Sequence, residues 1–265
     1  MISTEYRNYY RMITQPDHAD LSGQFAAKWG NEDFLKPEPY LNFVTMAGVH
    51  DNGWWDWDIR PKIDAEGKPM NFYQIDRQEW ADGNAKGIDN YAPHDTYGSL
   101  ILNMHFTGLP QQRYGTEPSM KTRKDAPEIA KFIEVREADA TRLKTQLTVS
   151  PEFREYVSQE KLWHNYLLQQ VMDRLSLYFC CNYPLMESIL DPVPTTWGKT
   201  TKIAIAPSAE NGVTMSPCPF SEDPLPVNVR VRLVPKRRYR DDDDLRLEFL
   251  NAPRKLVEFE IRGRR

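Results

Sequence analysis

Hydrophobic residues recur at helical spacing through the first two thirds of the chain and alternate with polar ones near its end. Leu21, Phe25 and Trp29 repeat every fourth residue with Ala26 beside them, which predicts a helix over 17–30, capped by Asp17 and ended by Gly30. Leu41, Val44, Thr45, Gly48 and Val49 share one broad face of a second helix over 39–51. A third, apolar helix spans 95–107 and is stopped by Gly108 and Pro110. A charged amphipathic helix follows over 126–147, with Pro127 near its first turn. One or two further helices occupy 151–181. The stretch 56–95, polar and aromatic with scattered Gly and Pro, reads as a long ordered loop with short helices.

After Pro194 the period falls to two. Lys202–Ala206, Asn228–Val234, Leu245–Leu250 and Leu256–Ile261 each alternate, which predicts four strands, with Asp241–Asp244 in a turn between two of them. The expected fold is therefore mainly α. A helical domain at 1–195 carries a small C-terminal antiparallel β-sheet at 196–265, packed on the helical body.

Composition narrows the function classes. The 265 residues are 40% hydrophobic and carry a net charge of −4, so nothing global calls for a nucleic-acid or membrane partner. The charge is uneven, since residues 228–265 hold 12 Lys and Arg against 7 Asp and Glu. A solvated sheet face accounts for that run. Cys180, Cys181 and Cys218 form neither a disulfide framework nor a zinc spacing. No signal-peptide core opens the chain, and no apolar run reaches the ~18 residues of a membrane span. A cytoplasmic protein is expected.

The chemistry concentrates in Met46-Ala47-Gly48-Val49-His50-Asp51-Asn52-Gly53-Trp54, where an apolar helix ends in an adjacent imidazole and carboxylate. His18 opens the run HADLSGQFAAKWG, and Asp173 lies late, in VMDRLSLYF. His94 and His105 would lie about 16 Å apart on one continuous helix, too far for one metal centre. With Pro93 and Asp95 placing the helix start near 95, His94 falls in the preceding loop and His105 becomes the better candidate. His164, nine residues before Asp173, faces the opposite side of its helix. Tyr166, Gln169 and Ser176 stand nearer the face of Asp173 and are candidates to support the ligands.

This order of residues resembles the HD-domain superfamily of metal-dependent phosphohydrolases, whose signature is a histidine on an early helix, an adjacent His-Asp on the next and a late aspartate. It is most similar to an uncharacterised bacterial HD-like family, sharing the DHA.LSG, HD.GW, MHF.GL and D.LSL stretches over roughly residues 12–181. The resemblance implies an HD-like helical bundle. His18, His50, Asp51 and Asp173 would hold a divalent metal (Mn, Fe, Co, Ni, Zn or Mg), and His105, with His94, would extend it to one or two ions. A small-molecule phosphoester would be hydrolysed through a metal-bound hydroxide, with Asp51 as the catalytic carboxylate that orients the water.

Two rival readings follow. Some HD-fold proteins are dinuclear iron oxygenases with ligand order His, His-Asp, His, His, Asp, which His94 and His105 together reproduce. The alternative to both enzymes is a non-catalytic metal- or ligand-binding module. Trp54, Trp55 and Trp57 could wall a pocket and stack on a ring. Lys121 and Arg123, with Lys124, form a basic loop where a phosphate could dock. Trp54 stands where HD hydrolases often carry a lysine.

Overall fold

The structure, a computed structural model, describes residues 1–111 and 126–264. Two short strands come first, β1 (Ile2–Tyr6) and β2 (Tyr9–Ile13). They form a tight hairpin in which Tyr6 pairs with Tyr9 and Arg7 takes a left-handed φ of 53°. The helices α1 (Gln15–Lys28), α2 (Tyr40–Val49), the short α3 (Trp55–Asp58), α4 (Arg77–Tyr91), α5 (Thr96–Gln111), α6 (Pro127–Thr148) and α7 (Gln159–Cys181) follow. The chain then forms β3 (Ser188–Pro194), β4 (Thr200–Ala209), β5 (Gly212–Ser216), β6 (Leu225–Pro235), α8 (Asp242–Asn251) and β7 (Arg254–Gly263).

The fold is not a helical bundle with a small terminal sheet. Seven strands join in one sheet of order β1-β2-β6-β7-β5-β4-β3, curled into a half-barrel. It is mixed, because β5 and β7 run parallel while the other neighbours are antiparallel. Both ends of the chain supply it, with β2 pairing to β6 through Met12 and Arg232. The expected boundary at 195 therefore does not separate helices from strands.

Alternation in β2 and β6 sends side chains to two cores. Ile2, Ile13, Val227, Val229 and Val231 face the helices and join Leu21, Phe25 and Phe179 in the main core. Tyr10, Met12 and Val234 face the other way and pack under Leu245 and Phe249 of α8. Helix α1 is tied to the sheet at Gln24, whose amide exchanges two hydrogen bonds of 2.9 Å with the Asn228 backbone. Phe179 of α7 meets Phe259 of β7 at 4.9 Å between ring centroids.

Two segments differ from the sequence expectation for identifiable reasons. Residues 245–250 are helical, although LRLEFL alternates. Asp241 caps the segment by accepting the Asp244 amide at 2.8 Å, and Asp242–Asp244 place negative charge at the helix N-terminus, where the backbone dipole favours it. Leu245 and Phe249, four apart, then bury on one face. Within 56–95, the 15-residue α4 stands where a loop with only short helices is expected. Asp76 caps it, and its buried stripe runs Trp80, Asn84, Ile88, Tyr91.

Candidate metal centre

Four helices carry the site. Thr14 caps α1 by accepting the Asp17 amide at 3.1 Å, which sets His18 in the first turn. Helix α1 crosses α2 backbone to backbone, and a Cβ at Gly23 would stand 2.7 Å from the Gly48 Cα. Only glycine permits that approach, which brings His18 beside the end of α2. His50 keeps helical torsions, whereas Asp51 leaves them at φ −98°, ψ 23° and opens the 3-10 turn Asn52–Trp54. This break turns two consecutive side chains toward one point. Gly53 then lies on α4, where a Cβ would meet the Gly83 carbonyl oxygen at 2.1 Å. His105 enters from α5 and Asp173 from α7.

The five side chains converge and are buried. His18 Nε2 is 3.0 Å from Asp51 Oδ2 and 3.4 Å from Asp173 Oδ1. His50 Nε2 is 3.6 Å from Asp51 Oδ2 and 3.5 Å from Asp173 Oδ1. His105 Nε2 is 3.5 Å from Asp173 Oδ2.

Each imidazole is anchored through its other nitrogen. His50 Nδ1 donates to the Ala47 carbonyl at 2.8 Å; a carbonyl can only accept, so a neutral His50 carries its lone pair on Nε2. His18 Nδ1 is 2.6 Å from Ser176 Oγ, whose hydroxyl donates to the Asp173 carbonyl at 2.8 Å and therefore accepts from the ring. The Gln170 amide stands 2.7 Å from His105 Nδ1 and 2.9 Å from the Tyr166 hydroxyl. An amide oxygen at that point accepts from the ring N–H and leaves the lone pair on His105 Nε2; an amide nitrogen there donates to Nδ1 and puts the ring proton on Nε2. With the amide oxygen toward His105, all three neutral imidazoles present Nε2 lone pairs to the same small volume as two carboxylates.

Such an arrangement is electrostatically expensive without a cation. Burial opposes a charge on His50, but the facing carboxylates of Asp51 and Asp173 outweigh it and raise its pKa to about 9. Burial dominates at His105 and lowers it to about 4, against the pull of Asp173. Burial also opposes the charge on Asp173, yet His50, His105 and His18 together hold its carboxyl well below the usual range.

The donor set fits a metal ion. His18, His50 and Asp51 form one possible ligand triad and His50, His105 and Asp173 another, each with ligand atoms within 4.8 Å of one another. Because His50 Nε2 belongs to both, they describe one locus. Three imidazole nitrogens with carboxylate oxygens suit Zn, Mn, Fe, Co or Ni. His50 Nε2, buried with no hydrogen-bond partner among the described residues, is the atom most in need of one.

The site forms one end of a cavity of about 510 Å³ lined by His18, Asp51, His105 and Asp173. Trp54, Phe72, Trp80, Phe106, Leu109 and Leu177 supply its apolar walls, and Arg174 its guanidinium. Several expected residues are elsewhere. His94 is exposed and borders a separate groove with Tyr91 and Asp95. Of the three tryptophans only Trp54 lines the cavity; Trp55 is turned to solvent, and Trp57 packs against Trp54 at 5.7 Å. Lys121, Arg123 and Lys124 lie outside the described residues. Ser176 meets His18 directly, while Tyr166 reaches His105 only through Gln170, which the sequence did not single out. Trp80, Phe106 and Arg174 were likewise unmarked; the adjacency of Arg174 to Asp173 was the one available signal. Among the described residues no helix is long and apolar enough to cross a membrane.

Fold and site together define a mixed α and β protein with a buried His and Asp cluster, suited to a metal ion, opening on an apolar cavity. The family described as "Protein of unknown function (DUF3891)" matches residues 1–236, and the chain belongs to that family. No curated protein and no solved structure matches it.

Proposed function

We propose that the protein is a metal-dependent hydrolase of a phosphoester. The observation that carries this reading is the anchoring of three imidazoles at Nδ1, so that three Nε2 atoms meet Asp51 and Asp173 at the end of a substrate-sized cavity. The order His18, His50-Asp51, Asp173 supports it through its resemblance to HD phosphohydrolases, as does Arg174 in the cavity wall.

A divalent ion held by these residues supplies Lewis acidity toward a phosphoryl oxygen and acidifies a water. The chain's own groups do the rest. Asp51 lines the cavity, and its carboxylate accepts a hydrogen bond from the attacking water and orients it. Arg174, steadied by a 2.8 Å hydrogen bond from Nη1 to the Asp191 carbonyl, offsets phosphate charge. Trp54, Trp80 and Phe106 exclude bulk water around the reacting group. The dinuclear iron oxygenase reading depends on His94 as a ligand, and His94 stands outside the cluster.

The test is elemental analysis of wild type and Asp51→Ala protein loaded in parallel with Mn, Fe, Co, Ni or Zn, followed by assays with 4-nitrophenyl phosphate and bis(4-nitrophenyl) phosphate. Metal retention and ester cleavage by wild type alone are expected. Wild type that retains no metal overturns the reading.

A further inference from the structure

The rest of the cavity lining specifies what the substrate's organic part must be. Asp51, Asp173 and Arg174 are the charged side chains among the described lining residues, and an imidazole that ligates a metal is neutral. A divalent ion would leave a single net positive charge there. That suits one phosphate group and does not suit a polyphosphate, whose further charges would be buried unpaired. Around it stand the rings of Trp54, Phe72, Trp80 and Phe106.

Polar side chains interrupt these rings, Ser3, Thr4, Gln15, Asn71 and Asn84 among them, and the amide of Asn84 is the one whose buried N–H donor lacks a partner. Asn84 is only 3% exposed and lines the cavity from α4. Its amide orientation is determined, because the Trp54 indole N–H can only donate and does so to Asn84 Oδ1 at 3.1 Å. The Nδ2 donor is left buried with no partner among the described residues. Buried amide donors are almost always paired, so an unpaired one in a cavity wall marks a place for a ligand acceptor.

Resting on the hydrolase reading for the position of the phosphate, we propose that the substrate is a single-phosphate ester of a ring-bearing alcohol whose acceptor oxygen is bound by Asn84 Nδ2. Asn84 is then the specificity-determining residue, discriminating through the penalty of leaving its donor unmet.

Equilibrium binding of non-hydrolysable phosphonates to the metal-loaded full chain tests this, read by tryptophan fluorescence from the cavity wall. Phenylphosphonate is expected to bind at least about tenfold tighter than methylphosphonate or tripolyphosphate, and 4-acetylphenylphosphonate about tenfold tighter than its 4-isopropyl counterpart. Asn84→Asp keeps the oxygen that Trp54 needs and replaces the donor with an acceptor, so it should abolish the acetyl preference. Tripolyphosphate binding as tightly as phenylphosphonate overturns the proposal, as does an acetyl preference that survives in Asn84→Asp. If that variant does not fold, the wild-type acetyl-against-isopropyl comparison decides alone. Turnover of 4-nitrophenyl phosphate without the expected binding order overturns this proposal and leaves the hydrolase reading standing.

Discussion

Gly23 of α1 and Gly48 of α2 lie in backbone contact, and the 3.0 Å approach of His18 Nε2 to Asp51 Oδ2 depends on it. The two helices hold their ligands at one point because neither carries a side chain where they cross. Gly23→Ala should push them apart. The expected cost is roughly 1–3 kcal/mol, as for other overpacked contacts, together with weaker metal binding. Urea unfolding of the metal-free protein and a metal titration measure the two effects separately.

Asp173 faces all three imidazoles, at 3.4 Å from His18 and 3.5 Å from His50 and His105. Asp173→Asn keeps the shape and removes the charge. Metal affinity should fall by more than about 100-fold, beyond what loss of a supporting hydrogen bond produces. Competition against a chromophoric chelator gives the affinity, and circular dichroism shows whether the helices persist.

Among the proposed ligand side chains Ser176 meets His18, at Nδ1 and 2.6 Å, while its hydroxyl donates to the Asp173 backbone carbonyl. Ser176→Ala leaves every proposed ligand in place but frees the ring to rotate. A loss of about 10–100-fold in metal affinity is expected. An affinity equal to wild type would show that the serine does not position the ring.

His164 offers a pH-dependence independent of the site. It is 2% exposed, packs edge-on against Trp197 at 4.9 Å, and has no hydrogen-bond partner at either nitrogen among the described residues. Burial lowers its pKa to about 4, from 6.5. Below 6.5 the unfolded chain takes up a proton that the folded chain refuses until about pH 4. Stability is therefore lost as pH falls through that window, by up to about 3 kcal/mol. His164→Phe should flatten this part of the stability profile, as read from urea melts at pH 7.5 and 4.5.

The helices that carry the site were legible in the sequence because each buries a stripe against its neighbours at helical spacing. α1, α2, α5 and α6 begin within two residues of the spans that periodicity gives, whereas α7 starts later than its broad 151–181 stretch. Helix rise separated His94 from His105 on one continuous helix, and Pro93 with Asp95 placed His94 in the preceding loop. α4 was not legible: Gly83 and Gly87 read as loop residues, yet they are where Gly53 and Trp54 press against the helix. The pattern LRLEFL fits a strand as well as a short helix, and the cap at Asp241 decided between them.

Sequence by itself determined which residues can ligate a metal, and that His50 and Asp51 share a helix end, because ligand chemistry and helix geometry are local. Tertiary structure decided the rest. It joined β1 and β2 to strands more than 200 residues away, since a hydrogen-bonded edge does not reveal its partner. It placed Ser176 and Gln170 behind the imidazoles and left Nδ2 of Asn84 without a partner among the described residues, because those relations exist only once α1, α4, α5 and α7 pack.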